Sequence, residues 1–268
     1  MDWLKKFPVK EMIQLGWVLE CDSKVEQLEA LLKFFSIASC EQWQRFWEDR
    51  ITVAFRKSKS YDSDPGALTA WLRQGELEAQ RIPCAQYQSK KFRDTLKQVR
   101  ALTVEPLDVI QPQVVELCAN AGVAVVFIPQ LPKTRASGAT RWISKDKALI
   151  QLSFRYKTED HLWFSFFHEA AHILLHQKRE VFLEFNRKQE KSQVEIEADR
   201  FAADFLIPSA QLESFLSGNG ARPSAIAIQS FAKELDIAPG IVVGRLQHEN
   251  YLPMSYGNKL KRRLEWTY

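Results

Sequence analysis

No two of the four cysteines stand close enough to form a CxxC pair, since Cys21, Cys40, Cys84 and Cys118 are scattered through the first half of the chain. That spacing argues against a cysteine metal site or a disulfide frame and fits reduced, buried thiols. Long apolar runs are also lacking. The longest, residues 162–175, is broken by His and Glu and falls short of the roughly 20 apolar residues that cross a bilayer. The opening MDWLKK lacks the basic, apolar, small order of a secretory signal, so the expectation is a cytoplasmic protein with no membrane partner. Charge of one sign is scarce as well. Lys and Arg number 37 against 33 Asp and Glu, a net charge of +4, and the basic clusters at 56–59, 90–93 and 259–263 read as solvated helix faces. Direct nucleic-acid binding is therefore not expected.

What remains is 268 residues, 46% hydrophobic and without repeats or a long Gly/Ser linker, enough for one large domain or two smaller ones. The first hundred residues carry helical signals. Ser23-Lys24-Val25-Glu26 is a capping box ahead of Leu28, Leu31, Leu32 and Phe35, and Ser39-Cys40-Glu41-Gln42 opens a second helix around Trp43, Phe46 and Trp47. Asp64-Pro65 starts a third, and a fourth spans 89–102. After Pro106 the pattern changes. A helix over 109–121 ends at Gly122, and strands are expected at 123–128, 138–143 and 148–153. A helix over 158–176 follows, then a polar stretch over 178–192, and helices at 193–206, 211–216, 224–235, 239–248 and about 260–264. The class is α+β: a helical N-terminal region over 1–102, then a domain over 103–268 with a small sheet and a helical C-terminal part over 208–268.

Residues 168–172 read His-Glu-Ala-Ala-His. On a helix, positions four apart differ by about 40° in rotation and about 6 Å in rise, so both imidazoles reach one ion. Glu169 lies to the flank, where it can hold a water beside the ion and take its proton. Catalytic zinc takes three protein ligands. A third His six residues after His172 is excluded, because position 178 is Lys and position 175 is Leu where that pattern has Gly. The remaining source is Glu195-Ile196-Glu197-Ala198-Asp199. Glu195, 23 residues after His172, shares a face with Asp199, Ala202 and Ala203, whereas Glu197 is turned about 200° away. Glu195 is thus the expected third ligand of a zinc ion and Asp199 the acceptor for a ligating His. The alternative is an exposed acidic face.

These two segments, Phe166-Phe167-His168-Glu169-Ala170-Ala171-His172-Ile173-Leu174-Leu175-His176 and Glu195 through Pro208, resemble the ImmA/IrrE family of metallopeptidases. The resemblance covers roughly residues 105–250, with Asp199 standing where that family more often has Asn. It implies a zincin-like fold, a gluzincin-like zinc centre, and a protein substrate, typically a helix-turn-helix repressor or an antitoxin in a stress or toxin-antitoxin setting. Related chains place the domain behind an N-terminal repressor unit, and none is recognisable over residues 1–100. A non-proteolytic, zincin-shaped binding module is the alternative function. Residues 225–247 loosely mimic a helix-turn-helix, although the second helix is mostly apolar. His176 either supports the site or ends its helix against the dipole. Tyr156, Arg141 and His248 are the candidates for steadying an oxyanion, and Trp43, Trp47 and Trp71 are either interface anchors or core.

Overall fold

The computed structural model describes residues 2–48, 64–153, 155, 157–176, 182–185, 192–220 and 222–264. Tyr156, the basic cluster at 56–59 and most of the 178–192 stretch lie outside these. The helices are α1 Val9–Gln14, α2 Lys24–Phe35, α3 Cys40–Trp43, α4 Pro65–Arg81, α5 Ser89–Ala101 and α6 Leu107–Asn120. Strands β1 Val123–Phe127, β2 Ala136–Ser144 and β3 Lys147–Leu152 then lead into α7 Glu159–Leu175. Strand β4 Phe182–Phe185 and helices α8 Gln193–Leu206, α9 Ser209–Asn219, α10 Ala225–Glu234 and α11 Pro239–His248 complete the order. The fold is α+β and zincin-like, with helical flanks.

Local chemistry sets these boundaries. Ser23 accepts the Glu26 N–H at 3.2 Å, and Glu26 takes the Asp22 N–H at 3.0 Å, satisfying donors that a helix start leaves open. Asp64 does the same for Ala67 at 3.0 Å, with Pro65 in the first turn. In the sheet the order is β1-β3-β2-β4. Strand β1 runs parallel to β3, while β2 is antiparallel to both β3 and β4. The sheet order places β4 at one edge, beside β2.

Because side chains alternate across a strand, the sheet buries two faces. Ala124, Val126 and Leu149 pack against Leu68, Trp71 and Leu72 of α4. On the other face Val123, Val125, Ala148 and Ile150 join Phe92 and Leu96 of α5 and Phe166, Phe167 and Ala170 of α7. Helices before and after position 102 therefore share these cores. Trp71 donates from Nε1 to the Ile128 carbonyl at 3.1 Å, and Trp43 sits edge-on to Phe7 and Phe35 in a separate N-terminal cluster. Both tryptophans are fully buried. They fill cores and are closed to a partner, and Trp47 packs on the same clusters.

The basic segment expected as a helix over 260–264 is otherwise. Only Asn258–Leu260 forms a 3-10 turn, after which the chain runs extended and Arg263 bridges Thr158 at the start of α7. The cause is charge pairing with two buried acids: Lys261 meets Asp160, and Arg262 meets Glu159. Arg262 also donates to the carbonyls of Thr103 and Glu105. Burial pushes the Glu159 carboxyl above the ordinary range, and the Arg262 contacts pull back only part of the shift. Such a raised group contributes stability at low pH that is lost as pH rises through its folded pKa. Arg262→Ala should therefore cost about 2 kcal/mol at neutral pH, below the ~3–5 kcal/mol of a fully buried pair, since Arg262 keeps 39% exposure. The deficit should narrow as acid neutralises Glu159, and Glu159→Gln should cost less. Urea midpoints at two pH values check both.

Candidate metal centre

Helix α7 is buried along nearly its whole length, and that burial locates the site. Ala171 on α7 and Ala198 and Ala202 on α8 are fully buried, and small side chains on these helices leave room for them to pack closely. Ser192 caps α8, accepting the Glu195 N–H at 3.4 Å, which sets Glu195 in the first turn beside α7.

Three side chains converge there. His168 and His172 present their Nε2 atoms to one another at 3.1 Å. Glu195 Oε2 is 3.5 Å from His168 Nε2, and Oε1 is 3.9 Å from His172 Nε2. The three residues offer ligand atoms that all lie within 4.8 Å of one another. Zinc–nitrogen bonds of about 2.0–2.1 Å at a tetrahedral angle hold two nitrogens about 3.3 Å apart, so the donor set and its spacing fit a zinc-sized cation.

Hydrogen bonding fixes how the rings face. His168 Nδ1 is 2.9 Å from Asp199 Oδ1, and an ionised carboxylate only accepts, so the proton sits on Nδ1 and the neutral ring leaves Nε2 as a lone pair. His172 Nδ1 lies 2.9 Å from His176 Nδ1. His176 Nε2 in turn lies 3.4 Å from Glu197 Oε2. Glu197 takes a 3.0 Å hydrogen bond from Gln193, and this together with His176 holds its carboxyl below the ordinary range.

Glu169 is fully buried where α7 leans on β2. Thr140 Oγ1 donates to the Glu169 carbonyl at 3.1 Å, and Gly138 lies against the carboxylate. A Cβ at position 138 would stand 2.6 Å from Glu169 Oε1 and 2.8 Å from its Cγ. Gly138→Ala should displace that carboxylate and cut turnover by about 100-fold, as a 1 Å misplacement can. Zinc content should stay unchanged, so metal analysis beside an activity assay tests it.

A cavity of about 350 Å³ opens next to the cluster, between α7, α8 and α11. Phe164, Asp199, Ala203, Ile241 and His248 are among its walls. Phe164 links it to the site, its ring 6.3 Å from that of His168 and 6.2 Å from that of His248. Arg141 points to the opposite face of the sheet, donating to the Leu72 carbonyl at 2.8 Å. Of the described oxyanion candidates, His248 is the one near the cluster. The helix-turn-helix mimic packs inward, with Ile241, Val242, Val243 and Leu246 of α11 buried in the core around α7.

The sequence-based reading brought His168, Glu169, His172, Glu195 and Asp199 to one place. It left His176 open between supporting the site and ending its helix, and it turned Glu197 away from the site; the structure sets His176 beside both His172 and Glu197. That reading also missed α1 and β4.

A zincin-like sheet, a helix presenting two histidines and a second helix presenting a carboxylate define the metallopeptidase-like class. Residues 118–220, which contain the whole cluster, match the family model described as Peptidase_M78, the IrrE N-terminal-like domain. That match covers about two fifths of the chain, and this segment is similar to the metallopeptidase-like domain that the family model describes. A comparison with curated proteins gives no match. Among the described residues no helix is long and apolar enough to cross a membrane.

Proposed function

We propose that the protein is a cytoplasmic zinc-dependent endopeptidase that cuts a regulatory protein, a helix-turn-helix repressor or an antitoxin. The convergence of His168, His172 and Glu195 beside a buried Glu169 carries this reading. His168, His172 and Glu195 would hold the ion, and Asp199 would orient His168. Zinc, when bound, supplies a Lewis acid that polarises the scissile carbonyl. Glu169 takes the proton of the attacking water and delivers it to the departing amine. The carboxylate is shielded from bulk water, which keeps it pointed at the reacting atoms and limits side reactions. The neighbouring apolar cavity suits a side chain of an extended substrate segment, with backbone contacts doing most of the recognition.

Incubating the purified protein with the regulator encoded beside it, followed by mass spectrometry, tests the proposal. One new terminus in the regulator is expected with wild type and none with Glu169→Gln. Relief of repression that is equally complete with both would mark a binding module instead.

A further inference from the structure

We propose that His176 and Glu197 form a second positioning relay, which holds His172 in its ligand tautomer as Asp199 holds His168. The inference rests on the zinc reading above.

His176 is the first residue past α7. Its N–H still reaches the His172 carbonyl at 3.2 Å, but with φ −114° and ψ 170° it leaves the helix, and its ring comes to lie 4.9 Å from that of His172. A 2.9 Å contact between two ring nitrogens needs one N–H and one lone pair. If His172 turns the lone pair of Nε2 toward the ion, its proton is on Nδ1 and it donates. His176 Nδ1 must then accept, which places the His176 proton on Nε2, 3.4 Å from Glu197 Oε2. The carboxylate only accepts, and Gln193 steadies its other oxygen at 3.0 Å. Each assignment forces the next. Helix α8 thus supplies a ligand at Glu195 and the end of a relay on either side of the metal, Glu197 for His172 and Asp199 for His168.

A helix-ending role for His176 makes a different demand. Favourable charge against the dipole would be met by any cation and would move stability, whereas the relay requires an acceptor and moves metal affinity. The side chain of His176 is 7% exposed and that of Glu197 48%, so the inner member should matter more.

The test uses the full chain, stripped and reloaded with zinc, with affinity read by chelator competition and stability of the metal-free form by urea denaturation. His176→Leu should weaken zinc by about 10- to 100-fold, as losing a ligand's hydrogen-bond partner does, and Asp199→Ala should do likewise. His176→Asn, whose Oδ1 stands about where Nδ1 stood, should stay within about threefold of wild type, while His176→Lys, a donor only, should fall with the Leu variant. Glu197→Gln should lose about two- to fivefold. Should the Leu variant fail to fold, the comparison of Asn with Lys decides. Zinc binding in His176→Leu or His176→Lys equal to wild type, or an Asn variant as impaired as Lys, overturns the relay alone. A wild-type protein that takes up no zinc overturns the metal reading, and the relay with it.

Discussion

Glu169→Gln is expected to abolish hydrolysis while leaving the protein folded and loaded with zinc. The substitution keeps shape and volume at a fully buried position packed against Gly138, so the walls around it need not move. What it removes is the ability to take a proton from water, a contribution worth about 100- to 10,000-fold in rate. No ligand atom is lost, because the cluster that would hold the ion is His168, His172 and Glu195. Elemental analysis should give about one zinc per chain in both proteins, and cleavage of the regulator should be seen only with wild type. Undiminished cleavage by the Gln variant would exclude this carboxylate as the base.

Glu195→Ala or His168→Ala should do the opposite and remove the metal itself. With three protein ligands reduced to two, zinc should drop below about a tenth of an equivalent after dialysis. Zinc at 100 times its dissociation constant adds about 2.7 kcal/mol to a protein that binds it only when folded. Wild type should therefore melt at a higher temperature with zinc than without, and either variant should show no such difference. A variant that keeps a full equivalent of zinc would remove that residue from the ligand set. Between them, the two experiments separate the group that acts on water from the groups that hold the ion.

Much of this centre was legible in one dimension because a helix converts sequence spacing into direction. The interval from His168 to His172 fixes two imidazoles on one face whatever surrounds them, and the intervals among Glu195, Glu197 and Asp199 fix which carboxylates share a side. Glu195, the candidate third ligand, lies on another helix, and the small Ala202 and Ala203 that share its face suit a close approach to α7. Capping residues likewise marked where α2, α3 and α4 begin, since a Ser or Asp side chain answers a need that is local to the first turn.

Other features carried no such local mark. Strand β4 was hidden in a charged stretch, because a strand's partner is set by pairing with a distant segment and not by its own residues. The chain at 261–264 has a basic, helix-compatible composition and is extended, because Lys261 and Arg262 are drawn to acids buried a hundred residues earlier. Whether Trp43 and Trp71 fill a core or face a partner depended on the aromatic and sheet surfaces that came to cover them. Sequence by itself determined which side chains could hold an ion and which could act on water, since both follow from residue type and helical phase. Tertiary structure alone decided what the His168 ring faces: its Nδ1 meets Asp199, a contact that exists only once α7 and α8 are packed together, whereas His172 Nδ1 meets His176 where α7 itself ends.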